Sequence, residues 1–324
     1  MTIGQQAQPR VTVAVLNYNG RALLEIVLPS LAAQEYRDFQ AVVVDNCSTD
    51  DSLVYLQEYW PNVRVVRTGT ENIGVAAALN VALRSADTEL VALLNNDIEL
   101  DPLWLAEIVG ALDRHPDASS ASCKLRNYWR RQELDGAGDI FQRDGTATRR
   151  GHGQLDEGQY DEEAFVFAPS AGAALYRASA LADVGGFDES FWAYYEDVDW
   201  GLRAQLRGHR CRYVPSAIAY HMGSATTGGD RNEFYFLLHR RNLLGVLVKD
   251  TPLGFLVLNA PWIGNTHLQL LRASARDGLL RLHARAVLAL LRQAPGWLRA
   301  RRQIQRNRRI GGAELTRLVR EWAR

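Results

Sequence analysis

An α/β fold with a parallel sheet is predicted by three observations. Within residues 11–114, four short apolar β runs each precede a helical stretch. Those runs are nearly continuous Val, Ile, Leu and Ala, as in strands buried on both faces. Polar clusters, "LNYNG", "DNCSTDD", "ENIG" and "NND", fall at the carboxyl ends of the runs or in the loops after them, where open α/β sheets bind ligands.

"VTVAVLN" (11–17) is followed by a helical stretch from Arg21 to Ala33. "QAVVVD" (40–45) leads to a helix with Thr49 or Asp50 as its N-cap. "VRVVRT" (63–68) leads to "GVAAALNVALRSA", where Ala76, Ala77 and Ala78 allow close approach to the sheet or to a ligand. "ELVALLN" (89–95) leads to a helix capped by Asp101 with Pro102 in its first turn. Residues 125–165 are polar and Gly-rich and read as irregular or hairpin structure. "SAGAALYR" then reads as a strand, "ASALADVGG" as a short helix stopped by Gly185 and Gly186, and "EDVDWGLRAQLRG" as a helix ending at Gly208. "HRCRYVPSAIAYH" is extended, with Pro215 marking an edge or a bend. After Arg231 the pattern is helical, and in 278–292 Leu280, Ala284, Val287 and Leu291 form one stripe with Arg281, Arg285 and Arg292 largely opposite.

The composition, 47% hydrophobic and 23% charged, fits a soluble globular chain. Cys47, Cys123 and Cys211 are widely spaced without a CxxC, so neither a disulfide framework nor a zinc site is expected. The first ten residues have no apolar h-region, and no window reaches ~18 uninterrupted apolar residues. A cytoplasmic protein is the expectation. The net charge of zero hides an asymmetry: residues 270–324 carry +11 and the remainder −11. That tail either meets an anionic surface such as a membrane or packs as a solvated helical hairpin on the acidic body. Nucleic acid is not an expected partner.

Five stretches carry chemistry. Asp45 and Asn46 end a strand, either to read a nucleobase edge or to form an Asx-turn. Asn72 is the functional candidate of "ENIG". "NND" offers one carboxylate, Asp97, and a single carboxylate holds Mg²⁺ or Mn²⁺ poorly without a second protein ligand or a diphosphate. In "FWAYYEDVDW", Glu196, Asp197 and Asp199 crowd a helix start. Acids there favour the helix dipole, and Asp199 can pair with Arg203. Phe191, Trp192, Tyr194 and Tyr195 offer a flat surface for a sugar ring, with two of the four expected in the core. His221 ends an extended run; its imidazole is a competent Mn²⁺ ligand or an ordinary structural residue.

In order, "VAVLNYNG", "VVVDNCSTDDS", "ENIGVAAALN", "LLNNDIELDP", "AGAALYRASALADVGGFDESFWAYYEDVDWGLRAQLRG" and "YVPSAIAYHMGSAT" span roughly residues 10–230. This set resembles the family 2 glycosyltransferases of the GT-A fold, most nearly the bacterial rhamnosyltransferases. The later segment "RNEFYFLLHRRNLL" is similar to the corresponding stretch of that group. The resemblance implies a catalytic domain over 1–230, with a nucleotide-binding half at about 10–124 and an acceptor-binding half at about 125–230, and an Arg-rich helical extension over 231–324. It places Asn17, Tyr18, Asp45, Asn72, Asn95 and Asn96 at the nucleotide-sugar donor, with Asn17 and Tyr18 against the base and Asp45 bonded to it. It makes Asp97 and His221 the holders of a divalent ion, Mn²⁺ or Mg²⁺, and Asn95 the departure from the usual Asp-x-Asp. Asp197 becomes the catalytic base, and Trp192, Tyr194, Tyr195 and Glu196 line the acceptor. The implied reaction is inverting transfer of a sugar, rhamnose from its dTDP donor first and a UDP-hexose second, to a saccharide or lipid-linked hydroxyl. The expected location is cytoplasmic, with the basic tail as the feature that can bring the protein to the inner membrane face.

Two other classes compete. A non-catalytic sugar- or nucleotide-binding protein on this fold has no need of Asp97, Asp197 and His221 together. A nucleotidyltransferase favours a Gly-rich basic phosphate loop, which "NYNGRALL" lacks, and lysine occurs only at Lys124 and Lys249.

Overall fold

The computed structural model describes residues 9–170, 172–223 and 232–322, so the expected 230/231 boundary lies outside the described residues. The strands and helices run in the order β1 (Val11–Asn17), α1 (Arg21–Ala32), β2 (Phe39–Asp45), α2 (Ser52–Tyr59), β3 (Arg64–Arg67), α3 (Val75–Arg84), β4 (Leu90–Asn95), β5 (Ile98–Leu100), α4 (Trp104–Arg114) and β6 (Ala118–Asn127). Next come β7 (Leu134–Gly136), β8 (Asp139–Phe141), β9 (Ala147–Arg149), β10 (Ala164–Val166), β11 (Ala173–Arg177), α5 (Ala178–Val184), α6 (Glu196–Leu206), β12 (Arg210–His221), α7 (Glu233–Lys249), α8 (Leu253–Arg276), α9 (Leu280–Asn307) and α10 (Gly312–Trp322).

The main sheet has the order β10-β12-β6-β11-β4-β1-β2-β3. Strands β3, β2, β1 and β4 are mutually parallel, as the four repeated units require. β11 enters antiparallel between β4 and β6, and β12 then runs parallel to β6. Leu24, Val27, Leu28 and Leu31 of α1 and Trp104, Leu105, Ile108 and Leu112 of α4 join the core cluster that contains Val11, Val13 and Val15. Ala76, Ala78 and Leu79 of α3 join the cluster that contains Ala14, Val42 and Val44, together with Trp200 of α6. These two sets alternate along β1, so both faces of the sheet are covered, which explains strands without polar alternation.

Local chemistry sets the helix starts. The Asp50 carboxylate accepts from the Ser52 and Arg21 N–H groups, at 3.1 and 2.9 Å, so one residue serves the first turns of α2 and α1. Asp101 accepts from Leu103 N–H at 3.0 Å, one turn before α4 proper. Pro215 does not mark an edge: β12 is paired on both sides, and its register slips between Val214 and Ile218, a bulge that absorbs the missing N–H.

The apolar stripe read in 278–292 is not the buried face of its helix. In α9, Leu280 and Leu291 are 48% and 60% exposed, while the buried positions are Leu282, Ala286 and Trp297. Trp297 is large enough to reach the core: it stacks on Phe191 with centroids 5.3 Å apart and covers Gly245 of α7. That one ring, rather than the leucine periodicity, decides which face turns inward.

A buried charge network joins the tail to α6. Asp199 is fully buried and pairs with Arg203 at 2.8 Å and with Lys249 of α7, which also meets Asp188 at 2.9 Å. Burial acts against the charged form of Asp199, yet Arg203 and Lys249 hold its carboxyl below the usual range. Removing one member leaves an uncompensated buried charge, so Lys249→Ala is expected to cost about 3–5 kcal/mol in denaturant unfolding. An unchanged midpoint would show that the network adds no stability.

Candidate functional site

The polar ends of β1, β2 and β4 first build a floor. Asn17 and Asp45 stand opposite each other in the parallel register of β1 and β2. The Asn17 amide donates to Asp45 Oδ1 at 3.2 Å and Ser48 Oγ at 3.1 Å, and its oxygen accepts from Asn96 at 2.9 Å. Asp45 Oδ2 accepts from Ser48 N–H. Both residues are fully buried, and neither lines the large cavity at the strand ends. Asn17 and Asp45, expected at the base, satisfy each other across neighbouring strands and hold the loop in shape. Gly20 is required beside them, because a Cβ there would lie 2.0 Å from the Asn96 amide nitrogen.

The cavity above this floor, of about 760 Å³, brings together most of the other expected residues. Tyr18, Asn72, Asn95, Asn96, Asp97, Trp192, Tyr194, Tyr195, Glu196, Asp197 and His221 all line it. Asn46 lines it too, but its amide is occupied with the 72–74 loop, donating to Asn72 Oδ1 at 2.9 Å and accepting from Ile73 N–H at 3.1 Å.

Asp97 meets His221 because β5 turns back immediately after "NND" and pairs antiparallel with β12, setting His221 opposite Ile98. His221 Nε2 lies 3.3 Å from Asp97 Oδ2, and Nδ1 lies 2.8 Å from Asp135 Oδ2. Asp97 Oδ1 is buried with no hydrogen-bond partner. Burial alone would lower the His221 pKa; the hydrogen bonds to Asp135 and Asp97 outweigh it and raise it to about 9. The pair is thus built to hold one positive charge between nitrogen and oxygen, a proton or a metal ion. Two adjacent ligands with bonds of ~2.1 Å stand about this far apart, and the orphaned Asp97 oxygen is a further donor. With Asp135 accepting from Nδ1–H, the lone pair of a neutral ring falls on Nε2, towards Asp97. No group of three or more His, Cys, Asp and Glu gathers as a metal site among the described residues. Any ion here therefore needs other oxygens to complete its shell, which suits diphosphate and water.

Asp135 was missed by the sequence reading. It sits on a three-residue strand inside a segment read as irregular or hairpin structure, and only the pairing of β7 with β6 carries it to His221. Arg149 pairs with it, and Arg149 and Asp139 also line the cavity. Asp139 accepts from Ser170 Oγ at 2.8 Å, and burial, then the Asp197 charge, pushes its carboxyl to about 7.

The opposite wall is aromatic and strained. Trp192, Tyr194 and Tyr195 have φ of 66°, 64° and 69°, left-handed values rare for bulky residues and costing about 1–3 kcal/mol each. Helix α7 holds them there. Asn242 donates to the carbonyls of Phe191, Ala193 and Tyr194 at 3.1, 2.9 and 2.7 Å, and Arg241 to those of Ser190 and Phe191 at 3.0 and 2.7 Å. Three edge-to-face contacts, Trp192–Phe234, Tyr194–Tyr235 and Tyr195–His239, add a second layer, and Phe234, Tyr235 and His239 themselves reach the cavity. The tail thus contributes directly to the site. "HRRN" within "RNEFYFLLHRRNLL" was the available signal: a buried amide in a helix otherwise rich in leucine.

Glu196 and Asp197 open α6 just beyond that loop. Burial, then the neighbouring Asp197, pushes Glu196 up to about 8, which favours its neutral form. A carboxyl raised from 4.5 to about 8 on folding favours the folded state fully below 4.5, and this contribution is lost as pH rises towards 8. Glu196→Gln removes that dependence. Its melting temperature relative to wild type is expected to improve from pH 5 to pH 8; a constant difference would show that Glu196 is already ionised when folded.

The chain is similar to known proteins in sequence and in fold. Over 231 residues the chain is 29% identical to the O-antigen biosynthesis protein RfbC of Myxococcus xanthus, covering 68% of this chain but only 18% of that much longer protein. It is 28% identical over 243 residues to N-acetylglucosaminyl-diphospho-decaprenol L-rhamnosyltransferase of Mycobacterium tuberculosis, covering 67% of this chain and 78% of that one. Among solved structures, the mannosyltransferase PcManGT of Pyrobaculum calidifontis, in complex with GDP-Man and Mn²⁺, superimposes with a TM-score of 0.56 at 22% identity, covering 94% of this chain and 87% of its own. At that identity the likeness establishes the fold, the GT-A arrangement expected from the motifs. A profile described as "Glycosyl transferase family 2" matches residues 12–185, more than half of the chain, and the chain belongs to that family.

Proposed function

We propose that this chain is an inverting, metal-dependent glycosyltransferase that moves rhamnose from dTDP-rhamnose to a hydroxyl of a saccharide or lipid-linked acceptor. The observation that carries the reading is the convergence, in one cavity, of the Asp97–His221 pair, Asp197 and a braced aromatic wall. The mycobacterial relative's rhamnosyl transfer to a diphospho-decaprenol acceptor supports this donor and acceptor class. A UDP-hexose is the second donor.

Tyr18, 37% exposed at the cavity, offers its ring to the base, and Asn72, Asn95 and Asn96 offer amides to the sugar and diphosphate. Mn²⁺ or Mg²⁺ held by Asp97 and His221 would supply the positive charge that stabilises a departing diphosphate. Asp135 fixes the His221 ring for that task. On the other side, Trp192, Tyr194 and Tyr195 give the acceptor sugar an apolar face, and protonated Glu196 donates to one of its hydroxyls. Asp197 takes the proton of the attacking hydroxyl. With no enzyme nucleophile in the step, a single displacement inverts the anomeric centre.

Asp197→Asn is expected to lower turnover about 10²–10⁴-fold while donor affinity stays near wild type; wild-type turnover in that variant refutes the base assignment. In calorimetry of Mn²⁺ with nucleotide, His221→Ala is expected to abolish the metal-dependent gain, and Asp135→Asn to weaken it about 10–100-fold. Equal nucleotide binding by wild type with and without the ion removes metal from the mechanism. A thermal-shift screen of nucleotide-sugars with Mn²⁺ identifies the donor, since a ligand of the folded state raises the melting temperature with concentration. Slow hydrolysis of the stabilising donor separates an enzyme from a binding protein.

A further inference from the structure

Helix α9 is divided lengthwise into three bands. At about 100° per residue, its buried positions Leu282, Ala286 and Trp297 lie within ~60° of one another. Leu280, Leu291 and Leu298 share a line on the other side, about 20° wide, with Leu288 ~80° round from it. All four are exposed, at 48%, 60%, 49% and 54% respectively. Beside them, in a band about 40° wide, stand Arg281, Arg285, Arg292 and Arg299, also exposed. The helix contains no Asp or Glu, and the nearest carboxylate to Arg285 is that of Glu233, at 3.9 Å.

The preceding helix repeats the pattern without the charge. From Leu253 to Leu271, α8 has no charged residue at all, yet Leu253, Val257, Leu258, Trp262, Leu268 and Leu271 are 43–66% exposed. A helix facing water ordinarily spends such positions on polar groups. No helix among the described residues is long and apolar enough to cross a membrane, so the apolar surface is arranged to lie along an interface rather than through one.

We infer that the exposed face of α8 and α9 seats this protein on an anionic phospholipid surface, with the leucines and Trp262 entering the boundary of the acyl chains and the α9 arginines meeting lipid phosphates. Exposed leucines beside a basic band, on a helix without Asp or Glu, match the charge and polarity of that boundary. A second copy of the chain is disfavoured as the occupant, because two identical arginine bands would face each other. The face is tied to the site: Trp297, on the inner side of α9, donates to Ser190 Oγ at 2.7 Å, at the root of the aromatic loop. This deepens the proposed function by naming the surface at which a lipid-linked acceptor is met, but the test reads binding alone, so its failure leaves the transfer reading intact.

The test is flotation of the full chain with vesicles of phosphatidylglycerol and phosphatidylcholine in equal parts, and of phosphatidylcholine alone. Wild type is expected to float with the mixed vesicles at low salt and to bind phosphatidylcholine more weakly. Leu288→Asp combined with Leu291→Asp is expected to abolish flotation without lowering the melting temperature, as fits exposed positions. Arg292→Gln combined with Arg299→Gln is expected to reduce partitioning to the mixed vesicles about 30-fold. Absence of wild-type binding at low salt overturns the inference. So does flotation that survives the leucine substitutions, or light scattering that shows a dimer dissolved by them.

Discussion

The antiparallel pairing of β5 with β12 is the constraint on which the site depends. β5 has three residues, and its register sets His221 beside the strand that comes directly after Asp97. Without that pairing Asp97 is a lone carboxylate at a strand end, and lone carboxylates hold hard cations poorly. With it, an imidazole pinned by Asp135 is aimed at the carboxylate from 3.3 Å. The bulge in β12 after Val214 belongs to the same constraint, because it resets the register with β6 over the residues that end in His221.

The second wall is held by different physics. A loop with three bulky residues at positive φ is costly in isolation, and it persists only where its surroundings over-determine it. Here they do: Asn242 and Arg241 satisfy the loop carbonyls, three ring pairs back the aromatic side chains, and Trp297 and the Lys249–Asp199 pair fix α9 and α7 against the body. Because α7 braces the loop and also lines the cavity, the helical extension and the sheet are mechanically one unit around the site. Both lysines of the chain are buried in ion pairs, Lys124 with Asp156 and Asp161 and Lys249 with Asp199, so the exposed basic surface is arginine.

The stretches read from local pattern alone fared unevenly, and the reason is geometric. The four parallel strands of residues 11–114 and the helices that follow them were legible because continuous apolar runs are short-range signals, whereas the three-residue β5 was not read. The acids of "EDVDW" were legible as a cluster, and Asp199 pairs with Arg203 as i,i+4 spacing predicts. That Asn17 and Asp45 are partners of each other was not legible, because it follows from the parallel register of β1 and β2. The α9 stripe was read from leucine spacing, although a single tryptophan outside the stretch decided the orientation.

Sequence by itself determined the family, the α/β alternation and the residue types of the cavity: one acid after β4, two at the start of α6, and a histidine at the end of β12. These come from covalent order, periodicity and ordered motifs, which need no knowledge of distant contacts. Only the tertiary structure decided which groups face the cavity, that Asp135 stands behind His221, that burial beside Asp197 raises the Glu196 carboxyl, and that α8 and α9 turn leucines outward. Each of these depends on packing between segments far apart in the chain, where burial, register and competing partners set a side chain's direction and charge.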